Sequence, residues 1–184
     1  MDTRALADTI ILDAGGDSVR LGAFWQDRPA VVVWLRHFGC LYCREHAVQM
    51  SGALPEIEAM GGALVFIGNG SPRAATWFKR KFVPGATVLT DPELRSYRII
   101  GARSGMLSTL GPRTWSSAIR AVRRGARQSS VRGHPFQQGA VLVLAPDDEL
   151  VYSYLSQRAG DHPPDVEVLG AMRRAARPAM GQTA

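Results

Sequence analysis

The sequence predicts an α/β layer fold with a central mixed β-sheet and helices on both faces. Three observations point to it. Strand-like and helix-like periodicities alternate along the chain, three short apolar runs read as buried strands, and turn-forming Gly and Pro residues separate them. The chain has 184 residues and 46% hydrophobic content. That suits one domain over residues 1–184, with a frayed tail over 178–184. Its uninterrupted apolar runs reach six residues, as in Ala30–Leu35, far short of the roughly 20 that span a bilayer. The start carries Asp2, Asp8 and Asp13 and lacks a basic segment followed by an apolar run. No secretory leader is expected, and the predicted location is cytoplasmic with no membrane partner.

Each element has a local reason. Ser18–Phe24 alternates Val19, Leu21 and Ala23 with other residues and reads as a strand. The β-branched run Ala30–Leu35 reads as a central strand buried on both faces. From Cys43 to about Met60 the period becomes helical, through Ala47, Met50, Leu54 and Ile57, with Pro55 predicting a kink or early end. Gly61-Gly62 closes that helix and Ala63–Ile67 forms the second buried strand. Ser71 fits a helix N-cap with Pro72 at the first helical position, leading to Phe82. Ala86–Leu89 reads as a short strand. Thr90 or Asp91 can cap a following helix that has Pro92 and Glu93 in its first turn and Gly101 past its end. Residues 103–139 are the least regular, although Trp115–Arg127 can form a helix. Ala140–Ala145 reads as a third buried strand, joined through Pro146-Asp147-Asp148 to Glu149–Leu155 in a hairpin. Asp165 to about Arg177 makes a final amphipathic helix.

The formal charge is +6, from 22 basic and 16 acidic residues. It is segregated: no acid occurs between Glu93 and Asp147, and that gap holds nine arginines from Arg95 to Arg132. An electropositive segment attracts anions. No nucleic-acid motif or stacking-aromatic pattern accompanies it, so a nucleic-acid partner is not expected. No Gly-rich dinucleotide fingerprint follows a predicted strand, so no cofactor is expected.

Chemistry concentrates at the cysteines, Cys40 and Cys43, in one C-x-x-C. A strand ending near His37 delivers Cys40 to a helix start, where unpaired N–H groups and the helix dipole stabilise a thiolate. Such placement lowers a thiol pKa from about 8.5 into the range of roughly 3.5–7.5. Cys43 returns on the same helix face, placed to attack a mixed disulfide or sulfenate at Cys40. Arg36 and Arg44 can add positive potential. His37 can hydrogen-bond the thiolate, shuttle a proton or orient the loop. A zinc reading also exists, because His37, Cys40, Cys43 and His46 recur every three residues. Four ligands on one strand-to-helix turn would converge poorly, however. His46 is expected at the surface, Trp34 and Phe38 in the core, and Asp161 in a capping or loop-fixing role. A further alternative is a non-catalytic redox-sensing or anion-binding module on the same fold.

The order of strand, C-x-x-C, helix, strand, helix, hairpin and terminal helix is that of a thioredoxin-like domain. Arg36-His37-Phe38-Gly39-Cys40-x-x-Cys43-Arg44-Glu45 resembles the signature of the peroxiredoxin-like 2 group. These are relatives of selenoprotein L in the alkyl hydroperoxide reductase/thiol-specific antioxidant superfamily. Thr90-Asp91-Pro92, Tyr97, Gly101, Gln137-Gln138-Gly139, Pro146-Asp147 and residues 159–163 are also similar to stretches in that group. The resemblance implies a thioredoxin-like fold and thiol redox activity. The substrate would be a peroxide, an endoperoxide or a protein disulfide, and an external thiol reductant such as a thioredoxin system would reset the pair. Val33 and His37 stand where peroxiredoxins carry Pro and Thr. Gln138 stands near their distant Arg, where it could contact a substrate oxygen or simply hydrogen-bond the loop backbone.

Overall fold

The computed structural model describes residues 1–102 and 137–177. Their elements run in the order α1 (Thr3–Ala7), β1 (Ile10–Asp13), β2 (Ser18–Arg20), a 3₁₀ turn (Leu21–Phe24), β3 (Ala30–Trp34), α2 (Leu41–Gly52), α3 (Leu54–Ala59), β4 (Ala63–Gly68), α4 (Pro72–Phe82), β5 (Thr87–Thr90), α5 (Arg95–Ile99), β6 (Ala140–Ala145), β7 (Glu149–Leu155) and α6 (Asp165–Ala175). The strands form one seven-stranded sheet in the order β2-β1-β5-β4-β3-β6-β7. β3 pairs parallel with β4, and β4 parallel with β5. β6 and β7 add antiparallel on one side, β1 and β2 antiparallel on the other, so the sheet is mixed. It has helices on both faces. Residues of α2, α3, α4 and α6 share one core cluster with Val31, Val33 and Phe66, whereas α1 and α5 share the other with Val32, Trp34 and Ile67.

β3 is buried at all five positions, as its apolar run predicts. Successive side chains feed opposite layers: Val31 and Val33 face one, Val32 and Trp34 the other. β4 repeats the arrangement over six buried residues. Ser71 Oγ accepts from the Ala74 N–H at 3.3 Å, with Pro72 opening α4 as expected.

Several local expectations are revised. The strand at Ser18 ends at Arg20, and Leu21–Phe24 turns as 3₁₀, burying Leu21 beside Trp25 under α1. α1 and β1 have no counterpart in the sequence reading. The helix after the cysteines begins at Leu41 and ends at Gly52. Pro55 then sits at the start of the separate α3, because it can neither donate to nor fit beneath the carbonyl of Ser51. α5 starts later than its capping pattern predicts, entered through Leu94 at φ 59°, so Pro92 and Glu93 precede it. Asp91 still ties it down, accepting from the Ser96 N–H at 2.7 Å and Oγ–H at 2.6 Å. The predicted Trp115–Arg127 helix, the arginines from Arg103 to Arg132 and the 178–184 tail lie outside the described residues.

Candidate active site

β3 ends in the sheet centre, and the chain crosses at Leu35–Gly39 onto the other helix layer. Three bonds fix that crossing. The Leu35 N–H donates to the Ile67 carbonyl at 2.7 Å, Tyr97 Oη donates to the Leu35 carbonyl at 2.6 Å, and Asn69 Nδ2 donates to the Arg36 carbonyl at 2.8 Å. Phe38 fills the space that Gly68 leaves; a Cβ on Gly68 would fall 2.3 Å from its ring. The anchored turn sets Cys40 as the N-cap of α2, with extended backbone at φ −70° and ψ 124°.

Cys40 is 7% exposed and Cys43 2%, and both thiols are free. The two differ sharply in acidity. A hydrogen bond from the Cys43 side chain draws the Cys40 pKa down to about 6. The backbone N–H groups of Cys43 and Tyr42 and the charge of Arg36 help, against the opposing effect of burial. The same bond and complete burial push Cys43 well above the usual thiol range. The pair therefore gives up its first proton from Cys40 and keeps the second on Cys43, which also accepts the Arg36 N–H at 3.3 Å.

Arg36 is 6% exposed, its Nε donating to the Gln137 carbonyl at 3.0 Å. Gln137 is buried too and donates from Nε2 to the Ala102 carbonyl at 3.0 Å. Gly139 makes this clasp possible, since a Cβ there would lie 2.7 Å from the Trp34 carbonyl oxygen. Gln138 is half-buried beside it. His37 accepts the Gly39 N–H on Nδ1 at 3.2 Å. Burial first, then Arg36 and Arg44, lower its pKa to about 4, so it is neutral at ordinary pH and carries its proton on Nε2. Arg44 reaches the Gly39 carbonyl at 3.4 Å and lies 5.5 Å above the centre of the Phe82 ring.

His46 is not at the surface. It is 4% exposed and stacks on His162, ring centres 4.0 Å apart and planes 9° from parallel. Burial and then His162 lower its pKa to about 3, and burial lowers that of His162 as well. Both histidines and Cys43 line a small cavity of about 10 Å³ with Arg36, Ser156 and Arg158. Asp161 holds the loop that carries His162, accepting from Tyr154 Oη at 2.6 Å and the Gln157 N–H at 2.7 Å. Trp34 and Phe38 are core, as expected. Among the described residues no three His, Cys, Asp or Glu side chains are grouped to hold a metal ion, so the zinc alternative finds no support. Sequence reasoning missed His162 as the partner of His46, and missed Gln137 and Asn69 as the anchors of Arg36. Only the Gln-Gln-Gly stretch hinted at the clasp.

Comparison with known proteins places the fold. The family model for AhpC/TSA antioxidant enzymes matches residues 49–158, from within α2 to just beyond β7. A thioredoxin-like protein from Arabidopsis thaliana, named AAED1 and chloroplastic, is 34% identical, the match covering 89% of this chain and 70% of that one. Human peroxiredoxin-like 2C is 28% identical over 90% of this chain and 77% of its own. Prostamide/prostaglandin F synthase from Salmo salar is 27% identical over 94% and 88%. Among solved structures, peroxiredoxin Q from Xanthomonas campestris superposes with a TM-score of 0.68 at 15% identity, over 95% of both chains. Peroxidoxin BcpB from Mycobacterium tuberculosis gives 0.67 at 17% identity, over 94% and 95%. These structures share the fold. With a thioredoxin-like sheet, a C-x-x-C turn between β3 and α2 and these relatives, the chain belongs to the AhpC/TSA antioxidant enzyme family as a peroxiredoxin-like protein.

Proposed function

We propose that the protein is a thiol peroxidase working through its C-x-x-C pair. The Cys40 thiolate attacks a peroxide oxygen and breaks the O–O bond, releasing an alcohol or water and leaving Cys40 as a sulfenic acid. Cys43 then attacks the Cys40 sulfur, closing a disulfide and releasing water. An external dithiol such as a thioredoxin returns both cysteines to thiols. A reducing compartment such as the cytoplasm suits this cycle.

The observation that carries the reading is the divided acidity of the pair, with Cys40 at the helix N-cap drawn to about 6 and Cys43 held protonated. A nucleophile ionised at neutral pH beside a resolving thiol is what two-step peroxide reduction needs. Arg36 and Arg44 supply positive potential, neutral His37 orients the turn, and Gln138 is the candidate contact for a substrate oxygen. A redox sensor would share this division of acidity, and sustained catalytic turnover is what separates the two readings. In the test, reduced protein is assayed for turnover of hydrogen peroxide and an alkyl hydroperoxide with a thioredoxin system. Cys40→Ser is expected to abolish turnover; undiminished turnover would sink the proposal.

A further inference from the structure

The exposed face of α4 has a charge pattern that the peroxidase cycle leaves unused. Over Pro72–Phe82 the sequence holds Arg73, Lys79, Arg80 and Lys81 and not one acid. Lys79 lies near enough to Asp13 to lower its pKa. Arg73, Arg80 and Lys81 are exposed, and among the described residues none of them forms an ion pair. They line an open groove of about 580 Å³ with Thr76 and half-buried Trp77. Lys81 Nζ sits 5.8 Å from the centre of the Trp77 ring and 5.7 Å from that of Phe82. The face is thus a cationic rim around an aromatic floor.

Buried ring contacts and Arg44 connect this face to the turn that carries Cys40. Trp77 packs edge-on against Phe82 at 5.3 Å, Phe82 against Phe78 at 5.4 Å, and Phe78 against Phe38 at 5.3 Å, two residues before Cys40. Arg44, next to Cys43 in the first turn of α2, lies 5.5 Å from the centre of the Phe82 ring. A partner seated on α4 therefore stands beside the first turn of α2. Of the two cysteines there, Cys40 is the more exposed residue.

We propose that α4 is the docking surface for the reducing partner, a dithiol protein with an acidic face, which rests on the peroxidase reading above. Like-signed rim charges steer an oppositely charged protein and set its rate of encounter more than its final affinity. Arg73, Arg80 and Lys81 provide the steering and Trp77 the contact. The partner's thiolate bonds to the Cys40 sulfur, the Cys40–Cys43 bond breaks, and Cys43 leaves and takes a proton. The partner's second thiolate then attacks its own sulfur in the mixed disulfide. Cys40 leaves as thiolate, and the partner departs oxidised by two electrons.

The test isolates the reductive half. Full-length protein is oxidised with diamide, so that the disulfide is made without peroxide. Its reduction is followed with a thioredoxin of net negative charge and, separately, with dithiothreitol, at low and high salt. Arg80→Glu/Lys81→Glu is compared with Arg4→Glu/Arg28→Glu, an equal change of net charge on exposed residues away from α4. The expected result is a thioredoxin rate that falls with salt in the native protein. At low salt the α4 variant is about ten-fold slower than the native protein and nearly insensitive to salt, the control stays close to native, and dithiothreitol rates are alike in all three. Equal thioredoxin rates in native and α4 variant would overturn the proposal, as would reduction by dithiothreitol alone. Loss confined to turnover of an anionic peroxide would overturn it too, since the face would then serve substrate. Failure of peroxide to oxidise Cys40, with the salt-dependent reduction intact, would instead count against the peroxidase reading.

Discussion

Replacing Cys43 with Ala should make Cys40 a weaker acid. The Cys43 side chain is the largest cause of the low Cys40 pKa, ahead of the backbone N–H groups and Arg36. A hydrogen bond to a charged group contributes about 1.5–3 kcal/mol. At 1.36 kcal/mol per pKa unit, losing it moves Cys40 up by about one to two units, from about 6 toward about 7 or 8. Cys43→Ser keeps a donor in place and should leave the value near that of the native protein. The assay is the pH dependence of alkylation by iodoacetamide, with thiolate absorbance as a second readout. Below neutrality the Ala variant should alkylate about ten-fold more slowly than the Ser variant. An Ala variant that titrates with the Ser variant would refute the reasoning and assign the acidity to the helix start and Arg36.

Two further outcomes follow from the same packing. His37 and His46 are held neutral, with pKa values near 4 and 3, whereas their unfolded counterparts take up protons near 6.5. Their stabilisation is complete above pH 6.5 and is lost as pH falls toward those folded values, by about 2 kcal/mol each at pH 5. Urea midpoints should therefore drop between pH 7 and 5, and His46→Asn should flatten the drop; an unchanged slope would contradict the assignment. Gly139→Ala forces a methyl to within 2.7 Å of the Trp34 carbonyl oxygen, a backbone atom that cannot swing aside. The cost should be about 1–3 kcal/mol in urea unfolding, with slower peroxide turnover as the Gln137–Arg36 clasp shifts. Native stability in this variant would show that the clasp has slack.

The turn that carries the two cysteines was legible because its causes are local. A β-branched run, a C-x-x-C and a helical period follow one another, and β3, Cys40 and α2 fall in that order. Pro55 likewise announced a break, although only the structure shows two helices meeting at Ala53. His46 was illegible for the opposite reason. On α2 it looks like a surface residue, and what buries it is His162, on a loop 116 positions away held by Asp161. Leu21–Phe24 misled in a third way: alternation suggests a strand, yet Leu21 and Trp25 are buried together in the second core layer by a tight turn. Sequence spacing shows which side chains share a face of an element. It does not show which distant loop covers that face.

The central claim is that Cys40 attacks and Cys43 resolves, and residue-resolved trapping of the first oxidation product tests it most directly. Reduced Cys43→Ser and Cys40→Ser variants would each receive one equivalent of peroxide with a sulfenate-selective dimedone probe, followed by peptide mass mapping. The account predicts a rapid adduct on Cys40 in the first variant, none on Cys43 in the second, and a Cys40–Cys43 disulfide in the native protein. An adduct forming on Cys43 as fast as on Cys40 would contradict it.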